Sequence, residues 1–233
     1  MKSTKLTVAL LSAMGFSAIT APVMAYEAGD WLIRGRIINV NPNSDSGSLV
    51  TTGLGSLGEG VSVDSDTVPE LDITYMLSRN WGIELILGYS DHNVRSRKSA
   101  GATVATLGSK NVIESKVLPP TLTLQYHFLP DSNIRPYIGA GINYTYFFDE
   151  SVPSDSGVAG AGDKVKLDSS WGLAAQVGVD VALNNDWFVN VDLKYIDIDT
   201  TAHFKSLNPA IGSAKINADI DPFVFGIGIG RRF

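Results

Sequence analysis

At 233 residues, with 23 glycines and no cysteine, the chain suits one β-rich domain and excludes disulfide frameworks, zinc–cysteine sites and thiol catalysis. Its formal charge of −6 argues against the basic surface that a phosphate backbone demands, so no nucleic-acid partner is expected.

Lys2 and Lys5 open the chain, residues 6–19 are mostly apolar, and Val23-Met24-Ala25 offers small residues at a cleavage point. This layout predicts a secretory signal peptide over residues 1–25 and a mature domain over residues 26–233. The apolar stretch holds Ser12, Gly15 and Ser17 and falls short of the roughly 20 residues of a membrane helix. Cleavage removes the two lysines and takes the charge from −6 to −8.

Eight segments follow in which apolar residues alternate with polar or small ones, with cores at 31–37, 71–75, 81–89, 122–128, 136–144, 171–181, 187–195 and 223–229. Period two places each set on one face of a strand. The apolar stripes carry no charge, whereas the interleaved positions carry Arg34, Arg36, Asp72, Glu84, Asp180, Asp192 and Lys194. Short turns at 78–80, 129–133 and 183–186 alternate with long polar connections at 38–66, 90–117, 149–167 and 199–219. The predicted fold is all-β: an eight-stranded antiparallel transmembrane barrel with short periplasmic turns and four long extracellular loops.

A lipocalin shares this pattern with its apolar stripe turned inward. The aromatic residues discriminate. Trp31, Tyr75, Trp81, Tyr126, Phe128 and Trp187 fall at the short-turn ends of strands, and Tyr89, Tyr144, Tyr146, Trp171, Tyr195 and Phe223 at the loop ends. Two such belts match the girdles at two membrane interfaces. The last strand alternates through Phe223, Phe225, Ile227 and Ile229 to Phe233, like the closing-strand signal read by the barrel-assembly machinery. Arg231 breaks the stripe: at the membrane edge it can reach the headgroups, and at the midplane it would cost about 2–4 kcal/mol.

Enzymatic chemistry is not expected. His92, His127 and His203 match no metal spacing, no G-x-S-x-G elbow accompanies them, and His127 reads as a packed lumen residue. No cofactor or metal is implied. The acidic stretches at 64–66 and 219–221 read as solvated loop faces.

Several blocks resemble the OmpW family of small outer-membrane barrels. They include Leu118-Pro119-Pro120-Thr121-Leu122, Arg135-Pro136-Tyr137-Ile138-Gly139-Ala140-Gly141, Phe147-Phe148-Asp149, Ser170-Trp171-Gly172 and Tyr195-Ile196-Asp197-Ile198-Asp199-Thr200. The resemblance implies passive movement of small hydrophobic molecules into the outer membrane, entering from outside and leaving sideways through the wall. An eight-stranded barrel has an interior just wide enough for its own side chains, which argues independently against bulk flow. Pro119 and Pro120 remove two ladder donors from strand 4, which marks either the start of a strand or a side opening against strand 3; the resemblance favours the opening. Relatives often carry a proline at the outer end of strand 3, where Ser90 stands here. The family's apolar floor pair corresponds to Ile86 and Lys194, and the lysine predicts an ion-paired plug of Arg34, Arg36, Glu84, Ile86, Asp180, Asp192 and Lys194, with Arg135 at the periplasmic rim. An upper-lumen apolar patch is expected from Leu49, Val50, Leu54, Leu57, Tyr137 and Phe147. The expected partners are outer-membrane lipid, lipopolysaccharide and small hydrophobic solutes, and the barrel is expected to be a monomer. A narrow channel for small polar solutes such as amino acids, or a non-transporting structural or surface-interaction barrel, are the alternatives.

Overall fold

A computed structural model of the chain describes residues 25–48, 50–53, 55–56, 60–96, 111–154, 163–205 and 212–233. The predicted export segment lies outside these residues, apart from Ala25, as do Leu49, Leu54 and Leu57.

Eight wall strands follow in order: β1 (Trp31–Asn41), β2 (Asp66–Met76), β3 (Trp81–Gly88), β4 (Thr121–His127), β5 (Ile134–Ser151), β6 (Ser170–Ala182), β7 (Trp187–Ile196) and β8 (Phe223–Arg232). Each pairs antiparallel with its chain neighbours, and β8 returns to β1, so the sheet closes on itself. The seam is completed by reciprocal backbone bonds of Trp31 and Phe233, at 3.0 and 2.9 Å. Closure removes the edge strands that would otherwise present unpaired amides.

The structure decides which face of the predicted alternation is inside. Ile33, Ile37, Leu85, Leu124, Ile138, Val177 and Ile227 project outward and stay exposed, while Arg34, Arg36, Glu84, Gln125, Gln176, Asp180 and Asp192 are buried in the lumen. An apolar exterior around a charged interior is the arrangement of a membrane barrel and the reverse of a lipocalin. The aromatic belts form as paired rings: Trp31 on Tyr75 and Trp81 on Tyr126 at the short-turn end, Tyr144 on Trp171 and Tyr195 on Phe223 at the other. Arg231 lies at the short-turn end, its guanidinium 4.7 Å from the Phe233 ring and 5.5 Å from that of Trp187, so it leaves the apolar midplane undisturbed. The small lumen residues matter for closeness of strands: a Cβ at Gly141 would collide with the Leu122 carbonyl.

The long connections are more ordered than their polarity suggests. Strands Ser90–Ser96 and Asn111–Leu118 continue the wall upward, and Lys164–Leu167, Asp199–Lys205 and Ala214–Asp219 form a second sheet above it. In these segments the alternation inverts. Val94, Val117, Val165, Leu167, Phe204 and Ile216 point inward, with Lys116, Lys164, Lys205 and Lys215 outside. The surroundings explain the change: beyond the lipid the exterior is water, so the apolar face turns in.

Candidate functional site

The lumen is built in two layers of opposite character. In the lower one, Arg34 forks onto Asp180, with Nε to Oδ1 at 3.2 Å and Nη2 to Oδ2 at 2.7 Å, and donates from Nη1 to Glu84 at 3.0 Å and Thr74 at 2.6 Å. Arg36 faces Asp72 at 2.5 Å, Asp192 at 2.9 Å and Glu84 at 3.4 Å. Lys194 reaches Glu70 at 2.5 Å and Asp192 at 3.3 Å. The second Glu84 oxygen accepts from Gln125 at 2.7 Å and Gln176 at 2.9 Å. All these groups are buried, and such charges persist in a narrow lumen only when paired and hydrogen-bonded.

Tyr26 enters this layer from below. Its hydroxyl donates to Asp180 at 3.0 Å, and its ring lies 4.1 Å under the Arg135 guanidinium. His127 lies between Tyr26, whose ring meets it edge-on, and Tyr137, tilted by 35°, and has Gln125 Oε1 at 3.2 Å from Nε2.

Above the charges lies a narrow apolar chamber that is open to solvent. Ile38, Val68, Val94, Val117, Phe147, Leu167, Ile196 and Val224 line it, with Ile86 and Glu70 among its lining residues as well. Ser90, His92, Ser115 and Thr121 are further polar contributors.

The chamber meets the barrel wall between β3 and β4. Ile86 pairs with Thr121 below, and Ser90 pairs with Val117 above, in one continuous register. Between them Leu87, Gly88 and Tyr89 face Leu118, Pro119 and Pro120, and among the described residues the ladder skips this interval. The gap is one-sided. The Pro120 carbonyl still accepts from the Tyr144 amide at 3.0 Å, and Asn143 Nδ2 donates to the Pro119 carbonyl at 3.1 Å and Thr121 Oγ1 at 2.9 Å, which holds the prolines to β5. Gly88, Tyr89, Ser90, Pro119 and Thr121 all line the chamber, so it extends to this interruption.

Several expected residues take other places. Tyr137 does not belong to the upper lumen: it is near the start of β5, fully buried, and its hydroxyl donates to Asp192 at 2.9 Å in the charged layer. Val50 is exposed on the outer sheet because its partner strand turns that side to solvent. Ile86 lines the apolar chamber and makes no part of the ionic network. Leu54 and Leu57 lie outside the described residues. Glu70, Asp72, Thr74, Gln125, Tyr26 and Gln176 join the charged layer without having been assigned to it. Glu70 and Thr74 share the inward parity of Asp72, so extending that alternation in both directions finds them.

A closed eight-stranded barrel with an aromatic-banded apolar exterior and a charged lumen is an outer-membrane β-barrel. The chain belongs to the OmpW family, whose profile matches residues 27–233. It is 40% identical to outer membrane protein W of Escherichia coli K12 over 98% of this chain and 99% of that protein. The crystal structure of OprG from Pseudomonas aeruginosa matches with a TM-score of 0.81 and 36% identity, covering 91% of this chain and 99% of that one. A Pseudomonas aeruginosa protein named for a dibenzothiophene metabolism operon, PahQ, is 28% identical over 92% of this chain and 93% of its own length. The protein is an outer-membrane component.

Proposed function

We propose that this barrel admits small hydrophobic molecules from outside, holds them in the apolar chamber and releases them sideways between β3 and β4 into the outer leaflet. The observation that carries this reading is the coincidence of the chamber with the one-sided interruption at Pro119 and Pro120. Transfer from water into such a chamber is favourable by about 25 cal/mol per Å² of apolar surface removed from water. Onward passage to the periplasm is opposed by the paired charges of the lower lumen, which also disfavours a path for polar solutes. The name of PahQ points the same way, since dibenzothiophene is a largely apolar molecule. Residues 1–25 act as the export signal in this reading, and the strand ending at Phe233 is what the assembly machinery engages.

The test is uptake of a medium-chain alkane by cells making the wild type or Pro119→Val/Pro120→Val, with equal amounts of each protein verified in isolated outer membranes. Restored ladder donors should close the gap and reduce uptake. No uptake by wild type over empty cells, or unchanged uptake by the double variant, rejects lateral release.

A further inference from the structure

Resting on the chamber proposed above as the solute site, the hydrogen-bond inventory of its walls says which solutes it holds best. His92 and Ser90 sit two residues apart on the same inward face, both buried. His92 Nδ1 is 2.9 Å from the Asp64 carbonyl, which can only accept, so Nδ1 carries the proton. In the neutral ring Nε2 is then an acceptor, and the Ser90 hydroxyl 2.9 Å away donates to it. The other polar side chains are committed in the same sense: Ser115 donates to the Lys116 carbonyl at 3.3 Å, and Thr121 to the Pro119 carbonyl at 3.0 Å. Among the described side chains of the chamber, what is left to offer is acceptors, namely the lone pairs of Ser90 and Ser115 Oγ and the second carboxylate oxygen of Glu70.

We propose that the chamber is a binding site for apolar molecules carrying one hydrogen-bond donor, a hydroxyl or N–H, which docks on the Ser90–His92 pair beside the wall gap. At this pair a carbonyl compound of equal size brings an acceptor to side chains whose donors are already committed, and a hydrocarbon leaves the pair unused. One net hydrogen bond corresponds to a preference of about fivefold.

The protein has three histidines, so ring-nitrogen NMR of the full barrel in lipid bilayers, labelled on histidine, reads His92 directly, with His127 and His203 as internal references. Titration with 1-octanol should shift the His92 signal and saturate at a concentration about fivefold below octanal. Ser90→Ala should bring octanol to the level of octanal, and Ser90→Thr, which keeps the hydroxyl, should retain the preference and guard against misfolding. Equal affinity for octanol and octanal in wild type, or an unmoved His92 signal at saturating octanol, overturns the proposal. Because binding is read without transport, failure here is separable from failure of alkane uptake, which tests lateral release alone.

Discussion

Glu70 and Lys194 meet at 2.5 Å on the boundary between two incompatible interiors: the carboxylate lines the apolar chamber, and the ammonium belongs to the ionic layer beneath it. Three cations, Arg34, Arg36 and Lys194, serve five carboxylates, Glu70, Asp72, Glu84, Asp180 and Asp192, in this layer. Losing one cation is therefore costly. Lys194→Met should destabilise the barrel by about 3–5 kcal/mol, as expected when one partner of a buried pair is removed. Glu70→Gln/Lys194→Met should recover much of that loss, since it removes both charges. Denaturant unfolding in lipid vesicles measures both; equal losses in the single and double variants would show that the pair is not coupled.

Gly88 offers a way to obstruct the wall gap without touching the prolines. A Cβ built there meets nothing closer than Glu70 Oε2 at 3.9 Å and Ile38 Cδ1 at 4.0 Å, which is ordinary contact. Gly88→Leu should therefore fold, and its branched side chain should occupy the chamber beside Tyr89 and Pro119. Hydrophobic-solute uptake should fall several-fold while the unfolding midpoint moves little. Unimpaired uptake by a folded Gly88→Leu barrel would argue that solutes do not pass this point.

Much of the wall was legible because period two is forced by geometry: Arg34, Glu84 and Asp180 fall on the uncharged stripes' opposite face, and the structure gathers them within one network. The loss of ladder donors at Pro119 and Pro120 was legible for a different reason, since it follows from residue type alone. The resumption of pairing at Ser90 and Val117 was not, because 90–117 is polar and reads as a loop until its inverted alternation is noticed. Tyr137 was misplaced although its neighbour suggested otherwise: it stands two residues from Arg135, about 7 Å along a strand, and belongs to the same rim. Nothing local aims Tyr26 at Asp180, 154 residues away; that contact exists only once the barrel has closed.

The outer sheet should respond to acid. Asp197, Asp199 and Asp221 bring carboxylate oxygens within 4.8 Å of one another, and Asp219 faces Asp199 in register. Desolvation, then the charges of Asp219, Asp197 and Asp221, hold the Asp199 carboxyl above its ordinary range. A folded value above the unfolded one means that folding favours the protonated acid. The associated stabilisation is fully present below the ordinary carboxylate value and lost as pH rises through the raised one. Asp199 is largely exposed, so the effect is small and screened by salt. Hydrogen exchange of the Asp199–Lys205 amides, corrected for intrinsic rates, should slow on mild acidification, and Asp199→Asn should give slow exchange already at neutral pH. A variant with the wild-type pH dependence would assign the effect to another group.

Asn143 determines whether the proline gap stays one-sided. It is fully buried; its amide nitrogen reaches the carbonyls of Pro119 and Pro120 and the hydroxyl of Thr121, and its oxygen accepts from Thr145 at 2.6 Å. The prolines have no amide with which to hold themselves to β3, so β5 is their remaining support. Asn143→Ala should cost about 1–3 kcal/mol through the unsatisfied Thr145 and carbonyl groups. The loss should be local: the Tyr144 amide, bonded to the Pro120 carbonyl at 3.0 Å, should exchange faster while amides of the β1–β8 seam keep their rates. Uniform acceleration around the barrel would mean that Asn143 supports the whole fold, and an unchanged Tyr144 rate would mean that the backbone bond holds the prolines unaided.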